Sequence, residues 1–208
     1  HHKGRPIEPI YKYRGGCECG VLGIALDPDF ERNNFIYCHY SPIEKDCNRL
    51  SRFTFKDNQL IDEVNVLEVV TERHAGPHHA GSIHFGRNRE LFIANGDNTN
   101  PHAADGYAPI DDTATGLHRD AQRSAGNSND LRGAILRIVM NEDGSYDIPK
   151  DNLYPPGTPN TRPEIYAKGC RNPFRIFVDQ KTGYLHWGEV GPDAREKTDR
   201  GPRGYDEY

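Results

Sequence analysis

GIALDPDFERNNFIYCHY (residues 23–40) and GSIHFGRNRELFIANGD (81–97) share one anatomy, and RIFVDQKTGYLHWGEVG (175–191) repeats it. Each opens with a short apolar strand, turns through Asp, Asn, Gly or Pro, and resumes in a second strand that begins with Phe, Leu or Tyr. The alternation has period two, as a half-buried strand requires, so each stretch reads as a β-hairpin. Such recurrence along a chain is the signature of a repeat architecture.

A second pattern follows the first two hairpins. RLSRFTFKDNQL (49–60) and AILRIVMNEDGS (134–145) each pair an Arg-bearing strand with a polar turn. Hairpin, further strands, then a turn is the logic of a four-stranded antiparallel propeller blade. Residues 14–75 and 76–155 are expected to form two blades, with a third beginning after them, and no long helix intervenes. Propeller rings close with about four to eight blades, and an open arc leaves strand edges exposed. The expectation is therefore an all-β partial propeller over residues 1–208 that continues past the C-terminus and does not fold alone.

The totals agree. The chain has 208 residues, a net charge of -5 and 35% hydrophobic residues, enough for one sizeable core or part of a larger one. Gly 21 and Pro 15 suit short strands joined by turns. The acidic balance and scattered basic residues argue against nucleic acid. No stretch of about 18 apolar residues is present to span a membrane, and the polar start HHKGRP carries no signal-peptide pattern. Five cysteines form no clear framework. Cys17 and Cys19 are too close to bridge without strain, Cys38 and Cys47 could close a short loop, and there is no C-x-x-C.

Candidate chemistry sits at the strand ends. GPHHAGSIHFG (76–86) places His78 and His79 among small residues at the mouth of a strand. A histidine there can act as a general base or simply occupy a turn. Zinc on His74, His78 and His79 is the poorer reading, because adjacent histidines point apart on an extended chain and no His-Glu-x-x-His helix exists. Asp97, in ANGDN, can orient a polyol or a histidine, or make an Asx turn. In GCRNPFR (169–175), Arg171 offers a planar fork for a carboxylate, while Asn172-Pro173 is also an ordinary turn. In GEVGPD (188–193), Gly191-Pro192 exposes carbonyls of the kind calcium accepts. The segment 98–130 is long, polar and without period; its place after Gly96-Asp97 favours a lid over the face that carries His78.

Taken in order along the chain, GVLGIALDPDF (20–30), HHAGSI (78–83), NGD (95–97), RGAILRI (132–138), GCRNPFR and GEVGPD resemble the glucose/sorbosone dehydrogenase family. The resemblance implies a six-bladed β-propeller that holds pyrroloquinoline quinone (PQQ) and calcium and oxidises aldose sugars at C1 to lactones. Electrons would pass to an external acceptor such as a cytochrome, in a secreted or periplasmic setting. It further implies His78 as the base, Asp97 and Glu18 on the sugar, Arg171 and Asn172 on the quinone, and Gly191 and Pro192 on the calcium. His79 has no part in that scheme.

The chain departs from the family pattern at Pro77, where an acidic residue precedes the histidine, at Val190, where a polar residue stands, and across the loop 98–130. The first two departures fall on the sugar side, so the resemblance speaks more firmly for the cofactor than for the substrate. A different class of reading is a non-catalytic extracellular propeller that binds carbohydrate or protein partners. A calcium-dependent lactonase on a similar propeller would need a cluster of acidic metal ligands that the sequence does not display.

Overall fold

The computed structural model describes residues 18–73, 77–100, 110–111, 113–114 and 116–191. The elements are β1 (Val21–Leu26), a one-turn helix α1 (Phe30–Asn33), β2 (Phe35–Tyr40), β3 (Cys47–Lys56), β4 (Gln59–Val70), β5 (Ala80–Phe85), β6 (Glu90–Asn95), β7 (Ala134–Met140), β8 (Tyr146–Asp147), β9 (Ile165–Lys168), β10 (Pro173–Val178) and β11 (Leu185–Glu189). Every pairing is antiparallel. Among the described residues one sheet runs β1-β2-β3-β4, a second β5-β6-β7-β8 with β9 also on β7, and β10-β11 form a third, two-stranded sheet. All three hairpins read from the sequence are present.

The turns explain themselves locally. In the DPDF turn, the Asp27 carboxylate accepts from the Asp29 amide at 2.9 Å and from Asn33 Nδ2 at 3.0 Å. Asn34 then ends α1 in the left-handed conformation (φ 56), which Asn tolerates better than most residues.

The second sheet is longer than the expected 76–155. Its outer edge is split into β8 and β9 by the proline-rich segment 148–164, since proline cannot donate to a ladder. The gap is closed by other groups: the Arg137 amide donates to Glu164 O at 2.8 Å, and Asn152 Nδ2 donates to Arg137 O at 2.9 Å.

Both faces of the second sheet are buried. On β6, Leu91 and Ile93 join Tyr37, Leu50, Leu67 and Val69 of the first sheet in one apolar cluster. Phe92 and Ala94, on the opposite face, pack with Ile176 and Val178 of the third and with Cys170 just before it. A two-faced sheet reads as continuous apolar sequence, which is why LFIA carries no polar alternation. The exception on β7 is Arg137, whose guanidinium lies over the Tyr166 ring, 4.6 Å from its centroid, and bonds Asn152 and Asp151.

The strands β1, β5 and β10 lie side by side where the three sheets meet. Glycine sets that approach: a Cβ on Gly23 would stand 2.3 Å from Gly81 O, and one on Gly81, 2.2 Å from Leu22 Cβ. A polar clamp joins the first two sheets at the other end. Arg89 donates to Asp27 Oδ2 at 2.7 Å, to Asp29 Oδ2 at 2.8 Å and to Met140 O at 3.1 Å. Burial pushes the Asp27 carboxyl up, but Arg89, the Asp29 amide and Asn33 outweigh it and hold it below the ordinary range.

Cys38, Cys47 and Cys170 are free and buried, so no bridge closes the Cys38–Cys47 loop. Cys19 is disulfide-bonded. The remaining cysteine, Cys17, lies outside the described residues. Among the described residues no helix is long and apolar enough to cross a membrane.

Candidate functional site

Antiparallel hairpins return to the end they left, so residues just before one strand and just after its partner share one end of the sheets. Glu18 precedes β1, His78 precedes β5, Asp97 follows β6, Arg171 and Asn172 precede β10, and Gly191 follows β11. Pro192 lies outside the described residues.

His78 sits in a left-handed turn. Its φ is 62°, followed by Ala80 at 49° and Gly81 at 104°. The register of β5 against β6 slips between Ala80 and Ile83, a bulge that re-aims the strand's first residues. His78 and Asp97 are both buried, and His78 Nδ1 stands 2.7 Å from Asp97 Oδ1. A carboxylate only accepts, so the proton lies on Nδ1 and leaves Nε2 as the basic nitrogen. Of the alternatives open to Asp97, this contact through Oδ1 is the one that orients a histidine. The Asx turn is made as well: the same Oδ1 accepts from the Thr99 amide at 2.8 Å.

Behind Asp97 is Arg132. Burial lowers its pKa, but its pairing with Asp130 (2.6 Å) and the charges of Glu72 and Asp97 outweigh that and keep it cationic. A nearby fixed cation favours the ionised form of Asp97. Two further stitches hold the pair in place: the Asp97 amide donates to Arg171 O at 2.8 Å, and the Gly133 amide donates to Gly96 O at 2.8 Å.

Glu18 links the three sheets. Its Oε2 accepts from the His79 amide at 3.1 Å and from Asn172 Nδ2 at 3.3 Å. Asn172 is further fixed through its amide, which donates to Glu189 Oε1 at 2.5 Å, and its carbonyl, which accepts from Val190 N at 3.2 Å. Among the described residues its buried side-chain oxygen has no hydrogen-bond partner. Arg171 is buried and donates from Nη1 to Val190 O at 2.6 Å, next to Gly191.

His79 is a wall residue. Its Nδ1 lies 3.0 Å from Asn48 Oδ1, and Asn48 Nδ2 donates to His79 O at 3.4 Å. His39, also buried, donates from Nδ1 to Gly81 O at 3.1 Å. Burial pushes the His39 pKa down to about 4, and the nearby His79 adds to this. Among the described residues no group of three or more His, Cys, Asp or Glu could hold a metal.

A cavity of about 350 Å³ opens beside the site, lined by Glu18, Cys19, Val21, Leu22, Ala80, Phe174 and Arg175. Of the expected residues only Glu18 faces it.

Sequence reading missed Thr99, Asn48 and Glu189. Thr99 had a legible signal in the Asp-x-Thr spacing of an Asx turn. Asn48 and Glu189 had none, because each acts on a residue distant along the chain. The described part of 98–130 is fastened down rather than loose: Asn98 Oδ1 accepts from the Glu72 amide at 2.6 Å, and Arg123 donates to Glu72 Oε1 at 2.8 Å.

Comparison with known proteins gives a consistent picture. Residues 2–206 match the family described as glucose / sorbosone dehydrogenase. The quinoprotein glucose dehydrogenase B of Acinetobacter calcoaceticus is 26% identical over 186 residues, 86% of this chain and 37% of that protein. The Hedgehog-interacting protein of Mus musculus is 26% identical over 182 residues, 80% of this chain and 23% of that one. A crystal structure of a Thermus oxidoreductase described as a glucose dehydrogenase superposes with a TM-score of 0.64 at 27% identity, covering 86% of this chain and 47% of that one. This chain thus spans less than half of each of these relatives.

Proposed function

Since this chain belongs to the glucose/sorbosone dehydrogenase family, we propose that the protein carrying it oxidises an aldose-type sugar at C1 to the lactone. The observation that carries the reading is the buried His78–Asp97 pair, a base with its orienting carboxylate, at the shared end of three sheets. His78 Nε2 takes the proton of the C1 hydroxyl as the hydride leaves. Asp97 holds the ring and stabilises the imidazolium that results. In this reading Glu18, which lines the cavity, accepts a hydroxyl of the sugar.

The residues expected on a quinone fit such a group. Asn172 presents a buried acceptor with no partner among the described residues, and Arg171 a buried guanidinium of the kind that suits carboxylates. When bound, pyrroloquinoline quinone supplies the two-electron acceptor. Calcium on the carbonyls of Gly191 and Pro192 belongs to the same reading and needs no acidic cluster. So do a six-bladed ring, an external electron acceptor and an extracytoplasmic location.

The test is dye reduction by the purified protein with PQQ and calcium across a panel of aldoses. Sugar-dependent reduction that falls by about 10²- to 10⁴-fold in His78→Ala is expected for a lost general base. Full activity in that variant would refute the base. Failure of the quinone to bind would refute the enzyme and favour a second reading, a propeller that binds a protein or carbohydrate partner, for which the likeness to Hedgehog-interacting protein is the ground.

A further inference from the structure

The two residues after Asp97 both grip the histidine. Thr99 is buried, and its hydroxyl donates to Asp97 Oδ1 at 2.9 Å while its amide donates to the same oxygen at 2.8 Å. The hydroxyl oxygen also stands 3.4 Å from His78 Nδ1. Asn98, itself left-handed at φ 58, donates its amide to His78 O at 3.2 Å and its Nδ2 to Pro77 O at 3.4 Å. Non-glycine residues in this backbone region persist only where their surroundings hold them. Asn98 thus secures the backbone of His78, and Thr99 acts on its ring through Asp97.

The geometry points to Thr99 as a positioning residue that sets the basicity of His78. This rests on the proposed role of His78 as the base. The oxygen that receives the imidazole proton also receives two donors from Thr99. Each donor draws charge out of the carboxylate, so Asp97 holds an imidazolium less tightly than a carboxylate bound to His78 alone would. The threonine hydroxyl therefore keeps His78 readier to release its proton. Among the described residues, the charged and titratable groups around the pair are Arg132 behind Asp97, Glu72 beyond it, Arg171 on the Asp97 amide side, and Glu18 and His79 beside the loop. A change confined to Thr99 leaves all of them in place.

The experiment is an NMR titration of the His78 ring in the purified protein without added quinone, the resonance being assigned by its loss in His78→Gln. Thr99→Val keeps the shape and removes the hydroxyl donor; Thr99→Ser keeps the donor. The His78 pKa is expected to rise by ~0.5–1 pH unit in Thr99→Val, about the worth of one hydrogen bond, and to stay at the wild-type value in Thr99→Ser. The acid limb of kcat/KM should move by the same amount in the loaded enzyme. An unshifted titration in folded Thr99→Val, or the same shift in both variants, would overturn the inference and leave Thr99 a space-filling residue. Should the valine variant not fold, Thr99→Ala serves with the same expectation. A shift as expected, joined to full activity in His78→Ala, would uphold the tuning and sink the catalytic reading alone.

Discussion

Gly96→Ala puts one methyl group where the site has least room. A Cβ there would lie 2.1 Å from His78 O, 2.5 Å from His78 C and 2.9 Å from Asn172 Oδ1. Real contacts of this kind do not fall below 3.0 Å, so the His78 carbonyl must retreat by roughly 0.9 Å. The obstacle is backbone, which cannot swing aside as a side-chain tip can. The same carbonyl accepts the Asn98 amide, so its retreat also strains the clamp on His78. Overpacking of this sort costs about 1–3 kcal/mol. A displacement near 1 Å in a catalytic group costs on the order of 10²-fold in rate. We expect Gly96→Ala to lower kcat/KM of the PQQ-loaded protein by about 10²-fold while reducing the unfolding free energy by ~1–3 kcal/mol. Dye-reduction kinetics and urea unfolding on the same preparation measure both. Gly188→Ala is the control, since its Cβ would meet nothing within 4 Å. Wild-type kcat/KM in Gly96→Ala would refute the claim that the close approach of the Gly96 segment positions His78.

Three more outcomes follow from groups outside the site. Arg89→Met leaves the buried Asp27 carboxylate without its cation and should cost about 3–5 kcal/mol in urea unfolding; a loss below 1 kcal/mol would show the clamp to be incidental. Because the Asp27 pKa is depressed in the folded protein, the stabilisation is complete above about pH 4 and is lost as pH falls further, and Arg89→Met should flatten that acid limb. His39 is kept neutral at a pKa of about 4 against an ordinary 6.5, so the unfolded chain binds its proton first. Stability is therefore undiminished above about pH 6.5 and falls between there and pH 4, by at most ~3 kcal/mol from this residue; His39→Gln should remove that slope from a pH series of unfolding curves, and an unchanged slope would refute it. Burial, aided by Glu68 at Cys47 and Glu189 at Cys170, pushes these thiols up to about 11 and about 12. Neither should react with a thiol reagent at pH 8 in the folded protein, and both should label in denaturant; prompt labelling of the native protein would contradict their burial.

What the amino-acid order settled by itself is local. Period-two alternation and the turn residues Asp27, Asn34, Asn88 and Gly183 determine strands and hairpins, because both depend on residues a few positions apart. The family motifs likewise name His78, Asp97, Arg171 and Asn172 as residues to watch, and the fold brings them to one end of the sheets.

The tertiary structure alone decided how they act. No local pattern distinguishes an Asp97 that meets a sugar from one that grips His78, because the answer depends on a loop 19 residues earlier in the chain. Glu18 meets Asn172 across 154 positions, and Arg89 reaches Asp27 across 62. The split outer edge of the second sheet was hidden for a similar reason, since the Asn152 side chain stands in for a strand at Arg137. At the site end, Gly23 and Gly81 let the first and second sheets approach, and Gly96 lets the His78 loop approach its own hairpin partner, to distances that a Cβ would forbid. A glycine in the sequence shows that such an approach is possible; only the packed sheets show which backbone arrives there.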